Sequence, residues 1–407
     1  MMPTNDTSEE PSGCTKALDG IRVLDFSRFI AGPSCAAFLG DLGAEVIRIE
    51  RPDGGEDRWI GPLAENSEGS LFLQNNRNKR SLTLKLGADE STEIIERLVR
   101  TADVLVINLP DSVLQSMHLD FEHLSAINPR LIYVSISAFG SHGPYFEKPG
   151  FDAVGQLMSG AASRTGSPEQ PVKTPVQYVD WGTGMAATIG TLAALLHRGM
   201  TGRGQRVEAA LLPTAMLMAS AMIIEQAVAR PNRKASLNRG QLSAPNDIFA
   251  VKDGWILVQV VGKPLFKRWA QLVERPEWVD DPRFANDKLR GENWEVINQH
   301  MSEWCAARTK KQALEQLAKV RVPGYPLYTV QEAIEDPHVK ATGLLQDVDY
   351  PGLPRPAPIV KTPINLTEMP LAPAGRAPLL GEHTESILSS LDYTPQEIAS
   401  LRQSRII

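Results

Sequence analysis

The sequence predicts an α/β protein, with a large domain built on a doubly wound, mostly parallel sheet and a second, smaller α+β domain. Three observations carry this. Strand-like runs alternate with helical periodicity over the first part of the chain. The pattern then changes after a basic, Asn-rich connection at 230–239, where Lys252-Asp253-Gly254 joins two short strand-like runs. The length, 407 residues, also exceeds one average domain of about 150.

In chain order, residues 1–18 lack periodicity and are rich in Ser, Thr, Glu and Pro, which reads as a flexible tail. Residues 21–26 read as a strand, 34–42 as a helix and 45–50 as a second strand, ended by Arg51-Pro52-Asp53-Gly54-Gly55. Further strands are predicted at 81–86, 104–108 and 131–136, separated by helical segments near 90–100 and 121–127. Two alanine-rich helices follow at 183–197 and 214–228. Beyond the connection come a hairpin of 247–251 with 255–260 and helices at 265–272, 295–307 and 311–320. Proline-rich segments at 322–326 and 351–363 lead through short strands to terminal helices at 384–391 and 395–402. The expected division is 19–224 plus 331–407 for the large domain and 225–330, with its linkers, for the small one.

With 42% hydrophobic and 22% charged residues, the chain has the composition of a folded globular protein. The net charge of −6 leaves no global basic field for a nucleic-acid backbone, so an anionic ligand needs a local cationic pocket. Cys14, Cys35 and Cys305 are odd in number and far apart, which fits a reducing cytoplasm better than a disulfide framework. The acidic, polar start does not read as an export signal, and the most apolar stretch, 211–224, is interrupted by Pro213, so no membrane span is expected.

A strand, turn and helix with acidic Glu50 closing the next strand suggest dinucleotide binding, but the turn is Ser27-Arg28-Phe29-Ile30-Ala31-Gly32-Pro33. Without the glycines that let backbone approach a pyrophosphate, the Rossmann-like architecture stands and the dinucleotide reading fails. P-loop, G-x-S-x-G and H-E-x-x-H motifs are absent, and none of the seven histidines has metal-ligand spacing to another; His118 and His123 read as surface residues. A basic cluster, Arg48, Arg51, Arg58, Arg77, Lys79 and Arg80, would ordinarily be a solvated face. Its place at strand ends in an acidic chain points instead to a phosphorylated ligand.

Asp180 lies in Tyr178-Val179-Asp180-Trp181-Gly182-Thr183-Gly184, at the entry to an apolar helix. It reads first as an N-cap, and a nucleophile can share that location, since a helix N-terminus favours both an ionised carboxylate and the oxyanion formed when it attacks a carbonyl.

Several stretches together carry a resemblance: Leu18-Asp19-Gly20-Ile21-Arg22-Val23-Leu24-Asp25-Phe26, Gly40-Asp41-Leu42-Gly43-Ala44-Glu45-Val46-Ile47, Asn76-Arg77-Asn78-Lys79-Arg80-Ser81, Pro149-Gly150-Phe151-Asp152, Asp180 with Gly184, Thr201-Gly202-Arg203-Gly204-Gln205 and Leu379-Leu380-Gly381-Glu382-His383-Thr384. In this order they resemble the class III coenzyme A transferases, the formyl-CoA and carnitinyl-CoA transferase family. The resemblance implies an enzyme that moves CoA from an acyl-CoA donor to a carboxylic acid. Asp180 would carry first a mixed anhydride and then a CoA thioester, with CoA as substrate and no permanently bound cofactor or metal. It further implies CoA contacts at Arg28, Phe29, Ile30, Arg51, Leu84, Asn108 and Leu109, and an interlocked homodimer. Where the family commonly has an arginine this chain has Ser116, so Lys148 or the Arg77 cluster is expected to supply the missing phosphate contact.

The related α-methylacyl-CoA racemase, the alternative enzyme reading, uses a histidine in a Gly-His-Asp triplet; here the triplet is Gly150-Phe151-Asp152, and phenylalanine cannot move a proton. A noncatalytic CoA-binding protein is the other alternative, opposed by Asp180. Oxalate-specific members carry a glycine run where this chain has Gly240-Gln241-Leu242-Ser243-Ala244-Pro245-Asn246, which favours a dicarboxylic or branched acid other than oxalate.

Overall fold

The computed structural model describes residues 16–65 and 67–407. Most of the tail read over 1–18, Cys14 included, lies outside the described residues. Its end belongs to the fold, because Leu18 is buried and its N–H donates to Leu42 O at 3.0 Å.

Two compact units are present. One comprises the residues up to Ser159, Pro175–Ile223 and Gly343–Ile407, and the other Gly160–Thr174 and Ile224–Thr342. The second is wider than the 225–330 read from the sequence, since 160–174 and 331–342 group with it.

The first unit opens with β1 (Arg22–Asp25), α1 (Ala31–Asp41) and β2 (Glu45–Glu50). There follow α2 (Ser70–Asn75), β3 (Lys79–Thr83), α3 (Asp89–Thr101), β4 (Val104–Ile107), α4 (Asp111–Ser116), α5 (Phe121–Ile127), β5 (Ile132–Ser137), α6 (Asp152–Met158), α7 (Tyr178–Thr201), β6 (Gln205–Ala210) and α8 (Leu211–Met218). The six strands form one wholly parallel sheet in the order β3-β2-β1-β4-β5-β6. Strand order reverses direction between β1 and β4, and the crevice beyond the strand ends at such a point is where open α/β sheets hold ligands.

Alternation along the strands builds the two faces. Leu24, Ile47, Leu82 and Leu105 pack with Ile94 and Leu98 of α3 on one side, while Val23, Val46, Val104 and Val106 pack with Cys35 and Leu39 of α1 and Ala187 of α7 on the other. α1 and α7 touch through small residues: a Cβ on Gly184 would lie 2.1 Å from Ser34 Oγ and 2.8 Å from Ala31 O, so only glycine allows the approach. β6 went unread in the sequence, and α7 begins earlier than the 183–197 expected, which takes Asp180 into its first turn.

α9 (Ser220–Ala229) leads on to the second unit, with β7 (Asn246–Val251), β8 (Gly254–Gln259), α10 (Lys263–Leu272), α11 (Asp287–Glu292), α12 (Trp294–Ala306), α13 (Lys310–Lys319), β9 (Gly324–Pro326), α14 (Val330–Glu335) and α15 (Pro337–Thr342). β7, β8 and β9 form an antiparallel sheet over a core that includes Phe249, Ile256, Phe266, Trp269, Phe284 and Ile297. The chain then returns to the first unit with β10 (Leu345–Val348) paired to β11 (Ala357–Val360), and with α16 (Thr384–Ser389) and α17 (Pro395–Gln403) packed on the α3 side of the parallel sheet. Among the described residues no single helix is long and apolar enough to cross a membrane.

Candidate functional site

A cavity of about 640 Å³ at the strand ends is lined by Arg28, Phe29, Ile30, Asn108, Leu109, Lys148 and Asp180, so seven of the nine residues singled out from the sequence meet in one place. A second cavity of about 350 Å³ shares Arg28 and Leu109 with it and adds Arg51, Lys85, Leu86, Val113 and Met117. Arg51 is half-exposed and pairs at 3.4 Å with both Asp53 and Glu56. Leu84 reaches neither cavity: its side chain is fully buried among the α3-side residues, and it is the next two residues, Lys85 and Leu86, that face the second cavity.

The turn between β1 and α1 is held from several directions. Asn108 Oδ1 accepts the Arg28 N–H at 3.0 Å and its Nδ2 donates to the Arg28 carbonyl at 2.8 Å. Arg28 pairs with Glu56 at 3.0 Å. Phe29 has φ +70°, an uncommon backbone state for a bulky residue, and its ring meets Phe151 edge-on at 5.4 Å. Phe151, 62% exposed, lines the first cavity as an apolar side chain that cannot move a proton. Among the described residues no histidine lines either cavity.

Asp180 is not the N-cap of α7. Gln177 holds that position without a side-chain bond, and Asp180 is the third helical residue. The helix end is capped from outside, by Asp152 Oδ2, which accepts from the N–H groups of Val179 at 2.8 Å and Asp180 at 3.2 Å. Asp180 is 9% exposed, and burial first, then the Asp152 charge, pushes its carboxyl up to about 7. The N–H groups of Val179 and Asp180 at this helix end serve Asp152, so Asp180 does not draw from them the support that the sequence suggested. What results is a shielded carboxylic acid that is nucleophilic once deprotonated and little hydrated in either state.

The basic cluster is mostly structural. Arg48 pairs with Asp57 at 2.9 Å, Arg58 with Glu50 at 2.8 Å and Glu68 at 2.9 Å, Arg77 with Asp41 at 2.5 Å, and Lys79 with Asp25 at 2.7 Å. All four cations are buried, and burial pulls the Lys79 ammonium down to about 8 against the pull of Asp25. Buried charges must be paired, and runs of charge in sequence do not show which partners lie beneath a sheet. Arg80, less buried, pairs with Glu45. Arg77, Lys79 and Arg80 line neither cavity; the cations that do, besides the buried Arg48, are Arg28, Arg51, Lys85, Lys148 and Arg206. Ser116 lines neither cavity and donates to Val113 O at 2.8 Å.

Sequence reasoning also missed Arg206 and Glu208, which line the first cavity from β6. Arg206 pairs with Glu208 at 3.0 Å and donates to Ser135 Oγ at 3.3 Å. The signal was present in Gln205-Arg206-Val207-Glu208-Ala209-Ala210, whose polar-apolar alternation puts Arg206 and Glu208 on one face. Among the described residues no group of His, Cys, Asp and Glu is arranged to hold a metal ion. Cys35 and Cys305 are buried, their thiols pushed up to about 12 by burial.

The model for CoA-transferase family III matches residues 18–384. Succinyl-CoA–L-malate CoA-transferase beta subunit of Chloroflexus aurantiacus is 32% identical over 97% of this chain and 98% of its own. Formyl-CoA:oxalate CoA-transferase of Rhodopseudomonas palustris is 32% identical over 96% and 97%. The crystal structure of a CaiB/BaiF family protein from Brucella suis is 33% identical with a TM-score of 0.82, covering 93% of this chain and 100% of that one.

Proposed function

Since the chain belongs to CoA-transferase family III, we propose that it moves CoA from an acyl-CoA thioester to a small dicarboxylic acid, with Asp180 as the group that is acylated. The ionised Asp180 attacks the thioester carbonyl, and the C–S bond breaks to give a mixed anhydride and CoA thiolate. The thiolate attacks the Asp180 carbonyl carbon, which releases the donor acid and leaves a CoA thioester on Asp180. The acceptor carboxylate displaces the thiolate to form a new anhydride. The thiolate then attacks the acceptor's carbonyl, which frees the product thioester and restores the Asp180 carboxylate. Every step exchanges one acyl–heteroatom bond for another, without a change of oxidation state.

One observation carries this reading: a buried, shielded carboxylate shares a cavity with the Arg28–Ile30 turn and Asn108, at the switch point of the sheet. The second cavity, apolar with Arg51 and Lys85 at its edge, suits the nucleotide end of CoA. Lys148 adds a cation to the Asp180 cavity, beside the Arg206–Glu208 pair, which suits an acid with a second carboxylate. The dicarboxylates in the relatives' names, L-malate and oxalate, agree with that class. Proton abstraction by the racemase route finds no histidine at the cavity.

We also propose a homodimer, interlocked as the resemblance implies. Met185, Ile189, Leu196 and Met200 expose an apolar stripe along α7, with Leu217 of α8 exposed as well, and a second copy of the chain would cover it.

The deciding experiment for the mechanism is trapping. Incubation with succinyl-CoA and then hydroxylamine should modify Asp180, as read by peptide mass spectrometry, and Asp180→Ala should abolish CoA exchange. An Asp180→Ala protein that exchanges CoA at the wild-type rate would end the reading.

A further inference from the structure

Glu56, Asp57 and Arg58 form one 3₁₀ turn, and each holds a different part of the crevice. Glu56 pairs with Arg28 at 3.0 Å and with Arg51 at 3.4 Å, bridging the two cavities. Arg58 is locked between Glu50 and Glu68 and has no accessible surface. Between them Asp57, 1% exposed, binds Arg48 Nη2 through both oxygens at 2.9 and 3.0 Å, and its Oδ2 accepts the N–H of Phe29 at 3.3 Å. Gly55 makes room for this: a Cβ there would lie 2.5 Å from Asp57 Oδ1.

The left-handed backbone of Phe29, φ +70°, persists only if its surroundings over-determine it. Asn108 fixes the residue before it, and a buried carboxylate fixes its own N–H. We propose that Asp57 is a positioning residue for acyl-CoA: held by Arg48, its carboxylate keeps Phe29 in this conformation, so that the turn presents Arg28 and the start of α1 to the ligand. This rests on the reading of the Arg28–Ile30 turn as a CoA contact. The role is separable from general stability, because Arg48 keeps Glu50 at 3.3 Å, Asn76 Oδ1 at 3.1 Å and the Ser27 carbonyl at 3.3 Å when Asp57 loses its charge.

The test is calorimetric binding of free CoA to the full-length protein. Asp57→Asn should weaken binding about tenfold, the loss expected when a charge-assisted hydrogen bond is removed from a preorganised site. Gly55→Ala, whose Cβ presses on Asp57 Oδ1 and also adds a methyl to the lining of the second cavity, should weaken it in the same direction without altering any charge; it also keeps the test open if Asp57→Asn folds poorly. Asp41→Asn, which breaks a buried pair elsewhere in the sheet, should lower the melting temperature and leave CoA affinity at the wild-type value. Wild-type affinity in both Asp57→Asn and Gly55→Ala would overturn the positioning role while leaving the CoA site intact, as would an equal loss in Asp41→Asn. A wild-type protein that does not bind CoA would overturn the site reading, and this role with it.

Discussion

Asn108 grips Arg28 by both polar groups of its backbone, accepting the N–H at 3.0 Å and donating to the carbonyl at 2.8 Å, across 80 residues of sequence and two adjacent strands. Asn108→Ala leaves both groups without this partner at about 1 kcal/mol each, so CoA affinity should fall by roughly 10- to 30-fold. Asn108→Asp keeps the acceptor and loses the donor, and its affinity should lie in between. Titration calorimetry decides it, and an Asn108→Ala protein with wild-type affinity would show that the turn holds itself.

The Asp180 carboxyl, pushed up to about 7, must be ionised to attack. The rate constant kcat/KM should therefore fall on the acid side of about pH 7 as a single proton is taken up by the free enzyme. Asp152→Asn removes the neighbouring charge that helps to raise Asp180, so the acid limb should move to lower pH. A profile flat from pH 5 to 8 would rule Asp180 out as the titrating nucleophile.

Stability should respond to the same group in the opposite sense. The folded-state value, about 7, lies above the ordinary 3.8, so the folded protein holds this proton more tightly than the unfolded chain. The contribution is fully present below the ordinary value and is lost as pH rises through 7. Asp180→Asn should therefore melt higher than wild type at pH 8 and close to it at pH 4. A lower melting temperature at both would indicate a supporting bond that the structure does not contain.

Much of the architecture was legible in the sequence, because the short, mostly apolar runs of Ile21–Phe26 and Glu45–Glu50, bounded by turn residues, read as strands and the 3.6 period of α3 reports which of its side chains meet the core. β6 was not, since its apolar positions are only Val207 and alanines, too weak a pattern beside the glycine-rich turn before it. Asp180 could be singled out by its place near a helix entry, but its cap partner, Asp152, stands 28 positions away and is joined to it only by folding. The basic cluster misled for the same reason: Asp41, Asp25 and Glu68 neutralise it from other elements, and pairing across a sheet leaves no periodic trace.

Arg77→Met separates those two readings of the cluster. Removing one partner of a buried pair costs about 3–5 kcal/mol, because the Asp41 charge is left uncompensated. The chemical-denaturation midpoint should drop accordingly, while the folded protein binds CoA with unchanged affinity. Weakened binding at full stability would return Arg77 to the ligand.

Assembly has its own check. Light scattering should give about twice the 44.6 kDa chain mass at micromolar and nanomolar concentration. Ile189→Asp and Met200→Asp, on the apolar stripe of α7, should yield aggregated or unfolded chains rather than active monomers, since interlocked rings form during folding. An active monomer would refute the interlocked architecture.

The contact of Gly184 with Ser34 and Ala31 has a bearing on how such an enzyme can change its diet. The helix that carries Asp180 in its first turn and the helix that follows the Arg28–Ile30 turn meet where Gly184 lies against Ser34 and Ala31, a contact that admits no side chain at position 184. Aim is thereby uncoupled from choice. On the proposed mechanism, other residues of the cavity lining such as Lys148 and Arg206 can be exchanged to admit a longer, shorter or branched acid without moving Asp180.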